Sequence, residues 1–199
     1  IDIKKVYEFL GIDKETGLYR FRDYNGDGNL TLSEDAKALK KVGIYYQGGI
    51  GNTIEHKNWN LDFLFQFVKQ QAYNYNQSIA QPGSLNNLPV DYLDHWQMNN
   101  TSAKFSYYTA GKDTNVVNLH RIMAQSDQAI SDASYIRLKN VNISYKIPLK
   151  NSIVQNAKLF FQGQNLLTIT NFFGQDPEML VSGYLPPLKT YAFGVQLTF

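Results

Sequence analysis

Cysteine is absent from this chain, which rules out both a disulfide framework and a thiolate metal site. No apolar run approaches the roughly 20 residues that a membrane-spanning helix needs. The longest, Leu61-Asp62-Phe63-Leu64-Phe65-Gln66-Phe67-Val68, is broken by Asp62 and Gln66. Excess charge is lacking too: 19 Lys and Arg against 17 Asp and Glu leave a net charge of +2, too small to argue for a nucleic-acid partner. The three histidines, His56, His95 and His120, are scattered, and none lies in an H-E-x-x-H arrangement. No serine has a nucleophile-elbow context, and Gly48-Gly49-Ile50-Gly51 is neither a phosphate-binding loop nor a dinucleotide fingerprint. The expectation is a protein that is not an enzyme. The first residues, Ile1-Asp2-Ile3-Lys4-Lys5, have neither an initiating Met nor the layout of a signal peptide, so the chain reads as a fragment of a longer polypeptide. With no candidate helix, it either stays in water or crosses a membrane as strands.

Aromatic residues are plentiful. The 14 Tyr and 12 Phe favour β-structure and suit the aromatic girdles of a membrane barrel. At the C-terminus, Tyr191, Phe193, Val195, Leu197 and Phe199 alternate with Ala192, Gly194, Gln196 and Thr198. A strand sends these two sets to opposite faces, one bulky and apolar and the other small or polar. Four other segments read as strands. Residues 44–54 put Ile44, Tyr46, Ile50 and Ile54 on one face, interrupted by Gly48 and Asn52. Residues 60–68 put Leu61, Phe63, Phe65 and Phe67 on one face, and Asp62, Leu64, Gln66 and Val68 on the other. Within 135–147 the parity changes between Ile136-Leu138 and Val141-Ile143-Tyr145-Ile147. A β-bulge would do this, as would an upper part projecting beyond the bilayer. Residues 157–168 have ambiguous faces. With 189–199 these make five strands, each near the roughly 9–11 residues of a tilted transmembrane strand.

The connections alternate between short (around Glu55 to Asn58, and Pro148 to Asn156) and long (70–134 and 170–188). Bacterial barrels show this asymmetry, with short periplasmic turns and long extracellular loops. A structureless loop above about 15 residues counts against a compact soluble domain. Five strands cannot close a barrel, and an open edge in lipid leaves backbone groups unsatisfied at several kcal/mol each. Other strands must complete it.

Asp23-x-Asn25-x-Asp27-Gly28-Asn29-x-Thr31-x-x-Glu34 meets the template of a calcium-binding EF-hand loop, with oxygen donors at positions 1, 3 and 5, Gly at 6 and Glu at 12. Asp23, Asn25 and Asp27 would give side-chain oxygens, Asn29 its carbonyl, Thr31 a direct or water-mediated contact, and Glu34 a bidentate carboxylate. After the loop only 32–41 looks helical, so paired flanking helices are not expected. The alternative is a solvated Asn/Asp/Gly turn without metal. In the long loop, Tyr73, Tyr75, Tyr92, Trp96, Tyr107 and Tyr108 suit either sugar-ring contact or packing of the loop on itself or a lid. Tyr92, Trp96, Tyr107 and Tyr108 are the substrate-contact candidates. Asp62 and Gln66 are expected to face the lumen.

Several motifs together resemble the C-terminal part of the SusC/RagA-type TonB-dependent transporters. They are Asp23-Tyr24-Asn25-Gly26-Asp27-Gly28, Tyr46-Gln47-Gly48-Gly49-Ile50-Gly51-Asn52, and His56-Lys57-Asn58-Trp59-Asn60-Leu61-Asp62. Ser134-Tyr135-Ile136-Arg137-Leu138-Lys139-Asn140-Val141, Gly163-Gln164-Asn165-Leu166, Asp176-Pro177-Glu178 and Lys189-Thr190-Tyr191 with the terminal Phe199 complete the series. The resemblance implies an all-β fold, the C-terminal strands of a large transmembrane antiparallel β-barrel of the 22-stranded plugged class. Residues 1–43 would form an extracellular loop. It further implies an outer-membrane location, energy from the TonB complex, a SusD-like surface lipoprotein as lid, and oligosaccharide or peptide substrates. The plug and the TonB-contacting segment would lie in a part not in this chain. Two rivals stand beside this reading: a secreted, calcium-stabilised β-sandwich that binds glycans, and an unrelated passive porin or autotransporter barrel.

Overall fold

The computed structural model describes residues 2–78, 80–149, 153–180 and 184–199; portions of the expected connections at 70–134, 148–156 and 170–188 fall outside them. In chain order the elements are β1 (Asp2–Val6), β2 (Phe9–Ile12), β3 (Tyr19–Phe21), β4 (Ala38–His56), β5 (Trp59–Tyr73), α1 (Tyr75–Ser78), α2 (Thr114–Met123), β6 (Ile130–Asp132), β7 (Tyr135–Ile147), β8 (Asn156–Thr170) and β9 (Thr190–Thr198). The chain divides into two compact units, one of Ile1–Gly43 with Gln71–Ser131, the other of Ile44–Gln70 with Asp132–Phe199.

The first unit has a core of its own. β2 and β3 form an antiparallel hairpin that brings Phe9, Tyr19 and Phe21 together edge-on, with ring centroids 5.7–6.4 Å apart. Ile122 and Met123 of α2 complete the cluster with Tyr7. α2 starts where it does because the Asp113 carboxylate accepts from the N–H groups of Asn115 and Val116, satisfying donors that a helix start leaves orphaned. Two sequence expectations are corrected here. Residues 1–43 are not all loop: β1 pairs antiparallel with the start of β4, from Asp2 opposite Val42 to Val6 opposite Ala38. The helical reading of 32–41 also fails, because this pairing draws Ala38 to Lys41 into β4 and leaves a turn before it. Long-range pairing overrides a weak local helix preference.

In the second unit β4, β5, β7, β8 and β9 lie side by side in that order, and the five expected strands are all present. β4 and β5 join through a two-residue turn at Lys57-Asn58, with Lys57 in the left-handed region at φ 54°. β5 pairs antiparallel with β7, β7 with β8 and β8 with β9. The parity change in the third expected strand is a β-bulge. Leu64 opposes Asn140 while Phe65 opposes Leu138, so Lys139 is extra. On the other side Asn165 and Leu166 of β8 fit between the pairs Leu138–Leu167 and Asn140–Gln164, with Asn165 at φ 53°.

Once the bulge is counted, the register gives every strand two clean faces. Phe63 opposes Val141, which opposes Gly163, which opposes Tyr191. Leu61, Ile143, Phe161 and Phe193 form the next rung of the same apolar face. The faces of 157–168, ambiguous in sequence, therefore resolve: Leu159, Phe161, Leu167 and Ile169 share the apolar side. Gly48, an interruption in the apolar row of β4, makes room for a ring, since a Cβ there would stand 2.6 Å from Phe67. Gly163 does the same for Leu166.

Candidate functional site

The apolar face of the second unit is exposed rather than covered. Phe193 is 79% exposed, Ile50 64%, Ile169 57% and Trp59 54%. Soluble monomers rarely leave so large a contiguous apolar patch open. At the Lys57-Asn58 turn, Trp59 and Tyr145 pair with centroids 4.7 Å apart, and Phe161 packs on Phe193 at 4.9 Å. The opposite face is polar. Asp62 lies on it and accepts from the Thr53 hydroxyl at 2.8 Å. Gln66 lies opposite Arg137, and Glu55 accepts from the Asn60 amide at 2.9 Å.

The polar face also carries a charged clamp that sequence reasoning missed as a site. Arg137, 1% exposed, donates from Nη2 to Asp176 at 2.6 Å, from Nη1 to Glu178 at 2.5 Å and from Nε to the Thr168 hydroxyl at 2.9 Å. Its guanidinium lies 5.3 Å from the Tyr135 ring centroid. Lys139, the bulged residue, donates to both Glu178 oxygens at 2.6 and 2.9 Å. Gln70 donates to the carbonyls of Pro177 and Ala133. Each nitrogen of the buried guanidinium group thus meets a polar partner, two of them carboxylates, as a buried charge requires. The Asp176-Pro177-Glu178 segment of the β8–β9 connection is fastened to β5 and β7. The available signal was an arginine between Ile136 and Leu138, and two carboxylates held apart by a proline.

In the first unit the 23–34 loop is closed by its own hydrogen bonds. Asp23 accepts from Gly26 N at 2.7 Å and Gly28 N at 2.8 Å, with both glycines at positive φ, 75° and 82°. Asp27 and Glu34 carboxylate oxygens each lie 3.0 Å from Asn25 Nδ2. Asn29 N–H donates to Asp27 at 2.7 Å, and the Thr31 hydroxyl lies 3.4 Å from Glu34. Five of the six predicted ligands so contribute side chains to one knot, Asn29 entering through its backbone. Among the described residues no three His, Cys, Asp or Glu side chains form a ready metal-holding group. A residue outside the template ties the loop shut: Asp35, fully buried, accepts from Tyr24 N and Thr31 N, both at 2.8 Å.

The Thr31 and Tyr24 hydrogen bonds hold the Asp35 carboxyl below its ordinary 3.8. A depressed native pKa contributes stability above the ordinary value, and that stability is lost as pH falls through the native value. We expect amide exchange across 23–35 in the intact parent polypeptide to rise below about pH 4 relative to Asp35→Asn at the same pH. Equal exchange in both proteins at every pH would show that Asp35 does not close the loop.

The aromatic candidates separate. Tyr92 is 1% exposed, stacks on Phe105 at 3.9 Å and donates to Asn76; burial pushes its phenol pKa up. Tyr108 stacks on His95 at 3.9 Å and donates to the Tyr92 carbonyl. Trp96 donates to the Lys14 carbonyl at 3.1 Å and lies against Gly17. Tyr107 and Tyr108, half-buried, line an open hollow of about 560 Å³ with Lys112 and Asp113. The structure thus joins Tyr92 with Tyr108, and Tyr107 with Tyr108, and ties Trp96 to the same cluster through its N–H on the Phe105 carbonyl and through Gly17, whose carbonyl accepts from the Tyr107 N–H.

Against known proteins, no family model matches the chain. It is 27% identical over 209 residues to TonB-dependent receptor P3 of Formosa agariphila, a match covering 96% of this chain and 20% of that protein. It is 26% identical over 200 residues to TonB-dependent receptor P26 of the same organism, covering 90% and 19%. The chain is similar to part of a TonB-dependent receptor. It spans about a fifth of the length of these curated relatives. Its fold matches chains in structures of the RagAB peptide importer in the open-open state, at TM-score 0.72, and of the RagAB peptide transporter, at 0.73. Each is 22% identical, and each match covers 98% of this chain and 22% of that one. The TonB-dependent part of the resemblance carried by the sequence motifs is therefore met by sequence relatives, and its fold by the RagAB chains. These proteins are named as receptors and as a peptide transporter.

Proposed function

We propose that this chain is the C-terminal wall and extracellular-loop portion of a SusC/RagA-type TonB-dependent importer in a bacterial outer membrane. The observation that carries the reading is the exposed apolar face running across β4, β5, β7, β8 and β9, backed by a polar face. Lipid outside and a polar lumen inside account for both. Remaining strands and a plug from the parent polypeptide complete the barrel and satisfy its open edges. TonB energises passage through a part outside this chain, and a SusD-like lipoprotein covers the substrate, an oligosaccharide or a peptide. Tyr107 and Tyr108 are the aromatic contacts placed for that cargo, since their hollow is open while Tyr92 is buried. In cells carrying the full polypeptide, uptake should cease when the proton-motive force is dissipated, while surface binding persists. Uptake that continues without that force would favour a passive porin. A stable particle that needs no detergent would favour the secreted sandwich.

We further propose structural Ca²⁺ in the 23–34 loop. The support is that Asp27 and Glu34 oxygens are drawn together around the Asn25 side-chain amide, together with the oxygen-rich spacing that such a site requires. Asp23, Asn25, Asp27, Asn29, Thr31 and Glu34 would hold the ion and pin the loop. Tb³⁺ added to the calcium-stripped parent polypeptide should luminesce on tyrosine excitation through Tyr24 and be displaced by Ca²⁺. Glu34→Gln should abolish the signal. A signal unchanged in Glu34→Gln would place the metal elsewhere.

A further inference from the structure

A cavity of about 530 Å³ opens where three outward strand rows pass from apolar to polar residues. Its floor contains Phe67, Ile136 and Ile169, which are register partners across β5, β7 and β8, with Tyr46 of β4 beside them. Two residues further along, these rows continue as Lys69, Ser134 and Asn171, and all three line the same cavity. The change of character therefore occurs at one level on three neighbouring strands. The path from Trp59 to Lys69 is about 33 Å of strand and, tilted by about 40°, rises about 25 Å, the height of an outer-membrane apolar band. With Trp59 at the short-turn end, Lys69 stands at the headgroup level of the outer leaflet.

We propose that this cavity seats a phosphorylated glycolipid of the outer leaflet, with an acyl chain on Phe67, Ile136 and Ile169 and a phosphate on Lys69. It rests on the membrane-facing reading of this sheet face, with which the cavity floor is continuous. The Lys69 ammonium pairs with Asp132 at 2.6 Å, but the two side chains are 43% and 55% exposed. An ion pair so exposed is worth little, so a phosphate competes for the ammonium at small cost. Asp132 and the exposed Asn171 then face sugar hydroxyls, which a phosphorylated glycolipid carries and a simple phospholipid lacks. A bare apolar surface would take any acyl chain; Lys69 adds a cation that a phosphate can draw from Asp132.

The test uses the full parent polypeptide in phosphatidylcholine nanodiscs doped with lipid A, with bound lipid read by native mass spectrometry. Wild type should retain lipid A in preference to phosphatidylglycerol and to dephosphorylated lipid A. Lys69→Gln should weaken retention about fivefold, the worth of one lysine at an anionic membrane surface. Ile136→Trp, which fills the cavity floor, should weaken retention of both forms of lipid A. If the polypeptide enters nanodiscs but holds lipid A no better than phosphatidylglycerol and indifferently to Lys69→Gln, the site is refuted and the membrane placement stands. If it cannot enter nanodiscs, both fall together.

Discussion

Replacing Arg137 with methionine should free the β8–β9 connection from β7. Arg137 is buried and donates to Asp176, Glu178 and Thr168, and breaking a buried ion pair by removing one partner costs about 3–5 kcal/mol. Lys139 still holds Glu178, so the lower end of that range applies. Asp176, whose side chain is 13% exposed, loses its cation and keeps the Glu178 N–H. About 3 kcal/mol raises the opening of the 176–178 segment roughly a hundredfold, enough for limited proteolysis of the full polypeptide to detect. Arg137→Lys should fall between the two, because an ammonium keeps the charge but cannot reproduce the planar fork. The strands should remain, since the sheet has its own register. Equal protease resistance in wild type and Arg137→Met would show that the connection is held by something other than this clamp.

The second large effect distinguishes the two faces of one strand. Phe63 lies midway along the apolar row from Trp59 to Phe67, and its neighbour Leu64 lies on the polar face. Phe63→Arg should cost about 2–4 kcal/mol, the price of a cation near the bilayer midplane on the lipid side. Leu64→Arg should cost far less, because it meets a polar lumen beside Gln66 and Asn140. The readout is the denaturant midpoint of the full polypeptide refolding into lipid bilayers. Equal penalties at the two positions would remove the distinction between lipid and lumen.

The strands were legible because a period of two needs only local sequence, and both Leu61 to Phe67 and Tyr191 to Phe199 display it without interruption. Legibility failed where partners are distant. Residues 157–168 looked ambiguous because Gly163 is vacant for Leu166, and because Asn165 and Leu166 share the space opposite Lys139. Neither fact exists without the neighbouring strand. Ala38 to Lys41 looked helical because nothing local announces that β1 pairs with them. The clamp was visible as motif strings but not as chemistry, since Arg137 and Asp176 meet only once the chain has turned back through β8. Within the candidate loop, the template identified the residues that knot together, but Asp35 lies just beyond it and closes the loop through backbone donors. Tyr92 shows the limit for aromatics: the sequence showed a tyrosine in a long loop, while its burial depends on Phe105 and Asn76.

Most direct for the membrane placement is an accessibility scan of β5 and β9 in the native outer-membrane particle. These 199 residues hold no cysteine; single cysteines introduced at 61–67 and 191–197, with any elsewhere in the particle replaced, carry the spin label. Oxygen, concentrated in lipid, should reach 61, 63, 65 and 67 and 191, 193, 195 and 197 best, with a water-soluble nickel reagent favouring the positions between them. Nickel access to Phe63 and Phe193 equal to that at Leu64 and Gly194 would contradict a lipid-facing sheet.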